Sequence, residues 1–283
     1  MTAPEQSLIR SCFIVGAVLF LFCAGCADPA PPDPAGISPT KSVAGVEHAP
    51  LLGARQIVDR AIAALGGPDI RDVLRRGHVK LTIEGDVPGA AEWFGKGPLT
   101  FEAHFDLPRF ERRDIYAAPE GEHLLIITNS RTIWFRDPTG KGSKMRAPPP
   151  EVYKGPFLIG ALNEFIELRD RASKLERVQN DDVTPALDVL DVYIGDEIVS
   201  RISFDKDTHL PAQIERTSAG LEDDNLGERE ETTTQLSAYR RFGSMTLPTE
   251  AVVYQRGKRV FRFVLAFADF ETPIDSELFT IPD

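Results

Sequence analysis

The chain has 283 residues, of which 43 are acidic and 32 are basic, so its net charge is −11. An acidic balance of this size disfavours nucleic acid as a partner, because phosphate binding depends on clustered Lys and Arg. The cysteines, Cys12, Cys23 and Cys26, all lie near the N-terminus, so the rest of the chain contains no disulfide and must be stabilised by burial alone.

An uninterrupted apolar run at residues 13–22 follows Arg10 and precedes the small residues Ala24 and Gly25. This arrangement is typical of a secretory signal peptide. Helix over this run would span about 15 Å, roughly half of the ~30 Å hydrocarbon layer, so a membrane-spanning helix is disfavoured. We therefore predict that residues 1–25 are a signal peptide.

The sequence Cys-Ala-Gly-Cys at residues 23–26 resembles the bacterial lipobox, in which a cysteine is acylated and becomes the new N-terminus. The resemblance implies that Cys26 carries a lipid and anchors the protein in the cell envelope. Ala27 does not resemble an inner-membrane retention signal, which favours the outer membrane, with the domain facing the periplasm. Conventional cleavage near Ala27 and an uncleaved anchor are the alternatives.

Residues 26–50 are predicted to be a lipid-anchored, Pro-rich linker. Six prolines and hardly any large apolar residue lie between positions 27 and 50, so this segment cannot form a core. A Pro-rich chain extends by up to ~3.1 Å per residue and could hold the domain as much as ~70 Å from the membrane. Residues 51–283 are predicted to be one domain, since all-β domains commonly reach about 200–250 residues.

Two helices are predicted in this domain. The first has apolar residues at helical spacing and ends at Gly66-Gly67-Pro68. Its apolar positions are Ile57, Val58, Ala61, Ile62 and Leu65. The second begins near Pro156 and has an apolar face wide enough for burial on two sides. That face comprises Phe157, Leu158, Ala161, Leu162, Phe165 and Ile166.

The rest of the domain has the apolar and polar alternation of half-buried strands. Strands are predicted around residues 79–83, 99–105, 109–117, 122–128, 131–136, 186–194, 198–204, 211–217, 232–240, 247–255 and 258–270. The connections are too short for helical crossovers, so the sheet is predicted to be mainly antiparallel. The last strand is predicted to carry four large apolar residues on one face, namely Phe261, Phe263, Leu265 and Phe267.

Short motifs occur in a fixed order along the domain: Ala63-Ala64-Leu65-Gly66-Gly67, Leu210-Pro211, Leu247-Pro248-Thr249 and Leu278-Phe279-Thr280-Ile281-Pro282. Over residues 52–282 the chain resembles the outer-membrane lipoprotein-sorting family, which contains the Lol carrier and its receptor. The resemblance implies a mainly β (α+β) fold, an incomplete antiparallel β-barrel with helices covering the concave face. It also implies an apolar cavity that binds acyl chains.

The residues predicted to line this cavity are aromatic and aliphatic residues of the strands, together with two residues of the second helix. They are Phe101, Phe105, Trp134, Ile202, Phe204, Phe261, Phe263 and Phe267 on the strands, and Phe157 and Leu162 on the helix. The alternative is that these side chains are ordinary core residues, because ligand pockets and protein cores share the same composition.

The sequence contains no His-Glu-x-x-His, Gly-x-Ser-x-Gly or phosphate-binding Gly-rich motif, so we predict no catalytic residue, cofactor or metal. His78 and His104 fall on the polar phase of their strands, which indicates solvent contact. A metal site built from separate strands is the alternative, since sequence spacing does not exclude it.

The basic residues Arg109, Arg112 and Arg113 are interpreted as exposed strand and loop charges, or alternatively as a basic rim near anionic headgroups.

The sequence therefore predicts a cell-envelope lipoprotein that binds or transfers a hydrophobic ligand, either a lipid or a lipoprotein acyl chain, without catalysis. Its partners would be the membrane, through the N-terminal lipid anchor, and a lipid or an acylated protein. The alternative is an envelope scaffold or sensor module that binds a partner protein and has a filled core. A third hypothesis is that the chain is an enzyme with an unrecognised active site.

Overall fold

The computed structural model describes residues 53–85, 93–95, 97–119, 121–147, 162, 166, 174–178, 186–194, 196–219 and 229–282. The predicted signal peptide, Cys26 and the linker lie outside the described residues, as do Phe157 and most of the predicted second helix. Within the described ranges, no helix combines the length and the apolar character needed to cross a membrane.

Helix α1 spans Ala54–Leu65, which confirms the first predicted helix. It begins after Gly53, whose N–H donates to the Gln56 side chain at 3.0 Å. It ends at Gly66, where φ is 151°, and the N–H groups of Gly66 and Gly67 both donate to the carbonyl of Ile62. A side chain at Gly66 would be strained at this φ and would also meet the backbone of the neighbouring strand, so glycine is required there.

The remaining described elements are a short helix, thirteen strands and a C-terminal 3₁₀ turn. Helix α2 spans Ile70–Val73, and the turn spans Ser276–Phe279. The strands are β1 Arg76–Gly85, β2 Leu99–Asp106, β3 Phe110–Tyr116, β4 His123–Asn129, β5 Thr132–Arg136, β6 Gly142–Arg146, β7 Lys174–Val178, β8 Leu187–Ile194, β9 Glu197–Asp205, β10 Pro211–Ala219, β11 Arg229–Phe242, β12 Met245–Gln255 and β13 Lys258–Asp269.

The strands form one open antiparallel sheet in the order β6-β5-β4-β3-β2-β1-β13-β12-β11-β10-β9-β8-β7. The sheet is therefore two meanders, β1–β6 and β7–β13, which are joined at the centre by the pairing of β1 with β13. Within the described residues, its outermost strands are β6 and β7.

The face of the sheet that packs against α1 is the inner face, and the opposite one is the outer face. In a flat sheet β12 and β7, which are five strand spacings of about 4.8 Å apart, would be about 24 Å from each other, whereas twelve residues of helix are about 18 Å long. Yet α1 contacts both β12 and the edge strand β7. The sheet therefore curls around the helix, and the inner faces of both meanders contribute to one core cluster. This confirms the predicted fold class, a mainly β, incomplete antiparallel barrel with helices on its concave face.

Candidate ligand-binding site

The inner face of β2 carries four buried residues that alternate with half-buried polar ones on the outer face. Two of them are predicted site residues, Phe101 and Phe105, which are 4 % and 0 % exposed. Phe101 is paired with Leu81 on β1 and with Ile115 on β3. The strand alternation thus places both phenylalanines in the apolar interior.

The second meander brings further predicted residues into the same core cluster. Ile202 and Phe204 of β9 are buried on the inner face, and Ile202 lies between Leu190 of β8 and Ile214 of β10. Leu162, which is helical and 2 % exposed, also belongs to this cluster. These residues and the two phenylalanines of β2 therefore surround one interior.

Phe261 and Phe263 of β13 lie on the inner face, with ring centroids 6.1 Å apart. Phe261 is buried, and Phe263 is partly buried against the core cluster. They stand opposite Gly85 and Ile83 at the end of β1. Their rings extend the aromatic lining toward one rim of the curled sheet.

Trp134 lies on the outer face, so its predicted place beside the inner-face residues is wrong. It is paired with Ile127 and forms a separate small cluster with Leu125 and Ile281. Both faces of β4 are buried, because the C-terminal segment covers the outer side of β3 and β4. Apolar and polar residues do not alternate in the sequence of β4 and β5. The sequence pattern therefore could not show which of their side chains lie on the inner face and which on the outer face.

Phe267 also lies on the outer face, contrary to the prediction that it shares a face with Phe261 and Phe263. The register between β1 and β13 shifts between Lys80, opposite Phe267, and Leu81, opposite Leu265. Ala266 is the additional residue of this bulge, and it reverses the phase of the strand. Phe267 is 43 % exposed, and its ring lies 4.9 Å from that of His78.

The inner face also holds charged residues that the sequence did not distinguish from surface charges. Glu111 and Arg113 of β3 are opposite Phe105 and Ala103, and they are 1 % and 5 % exposed. Arg113 Nη2 lies 2.7 Å from Glu111 Oε2. Neither carboxylate oxygen of Glu111 has hydrogen-bond geometry to a donor. The prediction that Arg113 is an exposed strand charge is therefore wrong.

A second ion pair lies on the inner face at the other end of the sheet. Arg177 of β7 donates to Asp188 of β8 at 2.7 Å, and both side chains are largely buried. Arg177 is opposite Leu190, which places it on the inner face. The described part of the interior is thus apolar over most of its surface and includes an ion pair in each meander.

The outer face of β1 and β2 holds a hydrogen-bonded polar cluster. His78 Nε2 lies 2.8 Å from Glu102 Oε1, and Tyr116 donates to Glu102 Oε2 at 3.1 Å. Burial alone would raise the pKa of Glu102, but the hydrogen bonds from His78 and Tyr116 and the charge of Lys80 outweigh it, so this pKa is lowered. Burial and the charge of His78 lower the pKa of His104. His78 and His104 are half-buried rather than fully solvated.

A small depression lies between the β11–β12 turn and the end of β13. Its volume is about 70 Å³, and its lining comprises Phe242, Gly243, Ser244, Ala268, Asp269, Phe270 and Glu271. Ligand pockets commonly measure about 300–1,000 Å³. This depression is therefore too small for a lipid chain.

No family model matches the sequence, and no curated protein matches it significantly. Among solved structures, a LolA superfamily protein from Nitrosomonas europaea is 12 % identical, with 82 % of this chain and 99 % of that chain covered and a TM-score of 0.48. A DUF1329 family protein from Desulfovibrio piger is 13 % identical, with coverages of 81 % and 97 % and the same TM-score, 0.48. A crystal structure of MucB is 12 % identical over 81 % of this chain and 62 % of that chain, with a TM-score of 0.29.

Proposed function

We propose that this chain is a cell-envelope lipoprotein that binds or transfers a hydrophobic ligand, a lipid or a lipoprotein acyl chain, at the inner face of its curled sheet. The observation that carries the proposal is one continuous apolar interior to which the inner faces of both meanders contribute. A surface of this kind is suited to a chain-like apolar ligand.

Between β6 and β7, the described residues Leu162 and Ile166 are helical and are buried against the core. These residues are four positions apart and thus share a helix face. A hydrocarbon chain bound at the inner face would replace contacts that these two side chains make with the core.

The two tryptophans provide a direct test, because the structure places them on opposite faces. Trp93 packs against the inner core cluster, and Trp134 lies in the outer cluster beside Ile281. Brominated lipids quench tryptophan emission only at short range. We therefore expect dibrominated stearate to quench Trp93 in a Trp134→Phe chain, saturably and in competition with unlabelled stearate.

The matched control is the Trp93→Phe chain, in which only Trp134 reports. Its emission is expected to remain unchanged over the same titration, with the full-length protein held in one detergent throughout. Absence of quenching in both variants would contradict the proposal. Quenching of Trp134 alone would place the lipid on the outer face and would also contradict it.

The burial of the lining residues favours a second candidate function. Phe105 and Phe204 are at most 1 % exposed, so the chain itself covers them in this conformation. A scaffold or sensor with a filled core would have this property and would recognise a partner protein through its outer surface. Native mass spectrometry of the purified chain separates the two, since a carrier retains or takes up lipid and a scaffold does not.

A further inference from the structure

Three potential metal ligands meet on the outer face of the first meander. His78 of β1 and His104 of β2 are directly opposite each other, and Glu102 precedes His104 by two residues on the same face. One ligand atom from each residue lies within 4.8 Å of the other two. These residues belong to rigid neighbouring strands, so the sheet itself holds them together.

We propose that His78, Glu102 and His104 form a binding site for a divalent transition metal of the Zn²⁺ type. Two imidazoles and one carboxylate are a donor set that suits Zn²⁺, Cu²⁺ and Ni²⁺ better than Mg²⁺ or Ca²⁺. Three protein ligands leave a fourth position for water or another group. The site lies on the face opposite the proposed lipid site and is independent of it.

Binding of one ion would require local changes in the side chains of the three ligands. Zn²⁺ binds imidazole nitrogen and carboxylate oxygen at about 2.0–2.2 Å, so two ligand atoms on one ion are about 3–3.5 Å apart. His78 Nε2 and Glu102 Oε1 are at 2.8 Å and would separate slightly. The two imidazole rings are stacked, with centroids 3.9 Å apart and an interplanar angle of 17°. One ring must rotate about its Cβ–Cγ bond for both nitrogens to face the same ion.

The neighbours of these residues support a ligand role for the carboxylate. Tyr116 donates to Glu102 Oε2, which leaves Oε1 directed at His78. Hydrogen bonds of this type orient the ligands of metal sites. The ring of Phe267 on β13 contacts that of His78, with centroids 4.9 Å apart.

Two neighbouring cations oppose metal binding, namely Arg112, which is directly opposite His104 on β3, and Lys80. Lys80 Nζ lies 3.4 Å from Glu102 Oε2, and its side chain is 40 % exposed. The ammonium group would have to swing into solvent when an ion binds, which costs its attraction to the carboxylate. Removing this charge should therefore strengthen metal binding, whereas a purely structural hydrogen-bond network would lose one of its partners.

The experiment is isothermal titration of the full-length, tag-free chain with Zn²⁺, after alkylation of its three cysteines. We expect one ion per chain and no response to Mg²⁺. His104→Gln and Glu102→Gln should each weaken Zn²⁺ binding by at least about tenfold, as expected when a supporting or direct ligand is lost. Lys80→Met should strengthen it. His209→Asn is the matched control, because it removes a histidine from a distant turn with φ of 60°, which Asn tolerates.

Thermal unfolding with and without Zn²⁺ tests the proposal even if a variant is less stable than the wild-type chain. Zn²⁺ should raise the melting temperature of the wild-type chain and of His209→Asn, because a ligand that binds only the folded state stabilises it. At the same Zn²⁺ concentration it should raise the melting temperature of His104→Gln by clearly less, whatever the value without metal. Absence of binding by the wild-type chain, or equal binding by all variants, would overturn the proposal.

Discussion

Glu111 is a buried acid whose charge is only partly compensated. Arg113 Nη2 lies 2.7 Å from Oε2, yet both carboxylate oxygens lack a hydrogen bond of good geometry. Burial raises the pKa of Glu111, and the nearby charge of Arg113 offsets this effect only in part. Desolvation therefore outweighs the attraction between the two charges, as is common for buried ion pairs.

Glu111→Gln is accordingly expected to leave stability unchanged in acid and to increase it at neutral pH. Below the pKa of the unfolded chain, Glu111 is protonated in both states and resembles glutamine. As the pH rises from that value through the higher pKa of the folded state, the folded chain holds a proton that the unfolded chain has lost, so wild-type stability falls relative to the variant. Urea unfolding of both chains between about pH 4 and 8 measures this difference.

Asp188→Asn is the comparison for this substitution. Asp188 receives a well-formed hydrogen bond from Arg177 at 2.7 Å, in contrast to Glu111. Loss of such a charge-assisted hydrogen bond should cost about 1.5–3 kcal/mol of unfolding free energy. A wild-type chain that is more stable than Glu111→Gln at neutral pH would show that the Glu111–Arg113 pair is net stabilising and would contradict the prediction.

At the scale of the element, the bulge in β13 decides which side chains face the interior. Leu265 is 4 % exposed on the inner face, whereas Phe267, two residues later, is 43 % exposed on the outer face. Leu265→Ala should therefore cost about 2–5 kcal/mol, as for other buried leucines. Phe267→Ala should cost only about 0.5–1 kcal/mol, the value of its ring contact with His78. Denaturant unfolding of the two variants measures both values, and equal losses would contradict the assigned phase of the strand.

The elements that were predicted correctly are those with a clear sequence period. Helix α1 has apolar residues at helical spacing, and β2 alternates over its whole length, so both were evident from the sequence. The bulge at Ala266 was not evident from the sequence, because a register shift depends on the pairing with the neighbouring strand and not on the order of residues alone. The edge strands β6 and β7 were missed because each is short and carries charged residues.

The presence or absence of a clear strand period also explains which residues of the candidate site could be placed from the sequence. Alternation assigned Phe101, Phe105, Ile202 and Phe204 to one interior. Trp134 was misplaced because β4 is apolar on both faces. The inner ion pairs were missed because a charged residue in a strand ordinarily indicates an exposed position, and only the fold shows that Glu111 and Arg113 point inward.

At the scale of the whole molecule, the first and last strands meet at the centre of the sheet. The pairing of β1 with β13 joins two meanders that are otherwise separate in sequence. The core cluster includes residues of both meanders, for example Phe135 of β5 and Leu190 of β8. Burial of one shared core should make the two meanders unfold together rather than as separate units.

The rates of amide hydrogen exchange should therefore increase steadily from the centre of the sheet to its outermost strands. The amides of β1, β12 and β13 have partner strands on both sides and should exchange most slowly, at a rate that reflects global unfolding. Among the described strands, β6 and β7 have a partner on one side only, so their amides should exchange through local opening. Mass-spectrometric exchange of the full-length chain measures this pattern. If β2–β5 and β8–β11 instead exchanged with two distinct global free energies, each meander would be its own folding unit, and the curled sheet would be able to open as a hinge between β1 and β13.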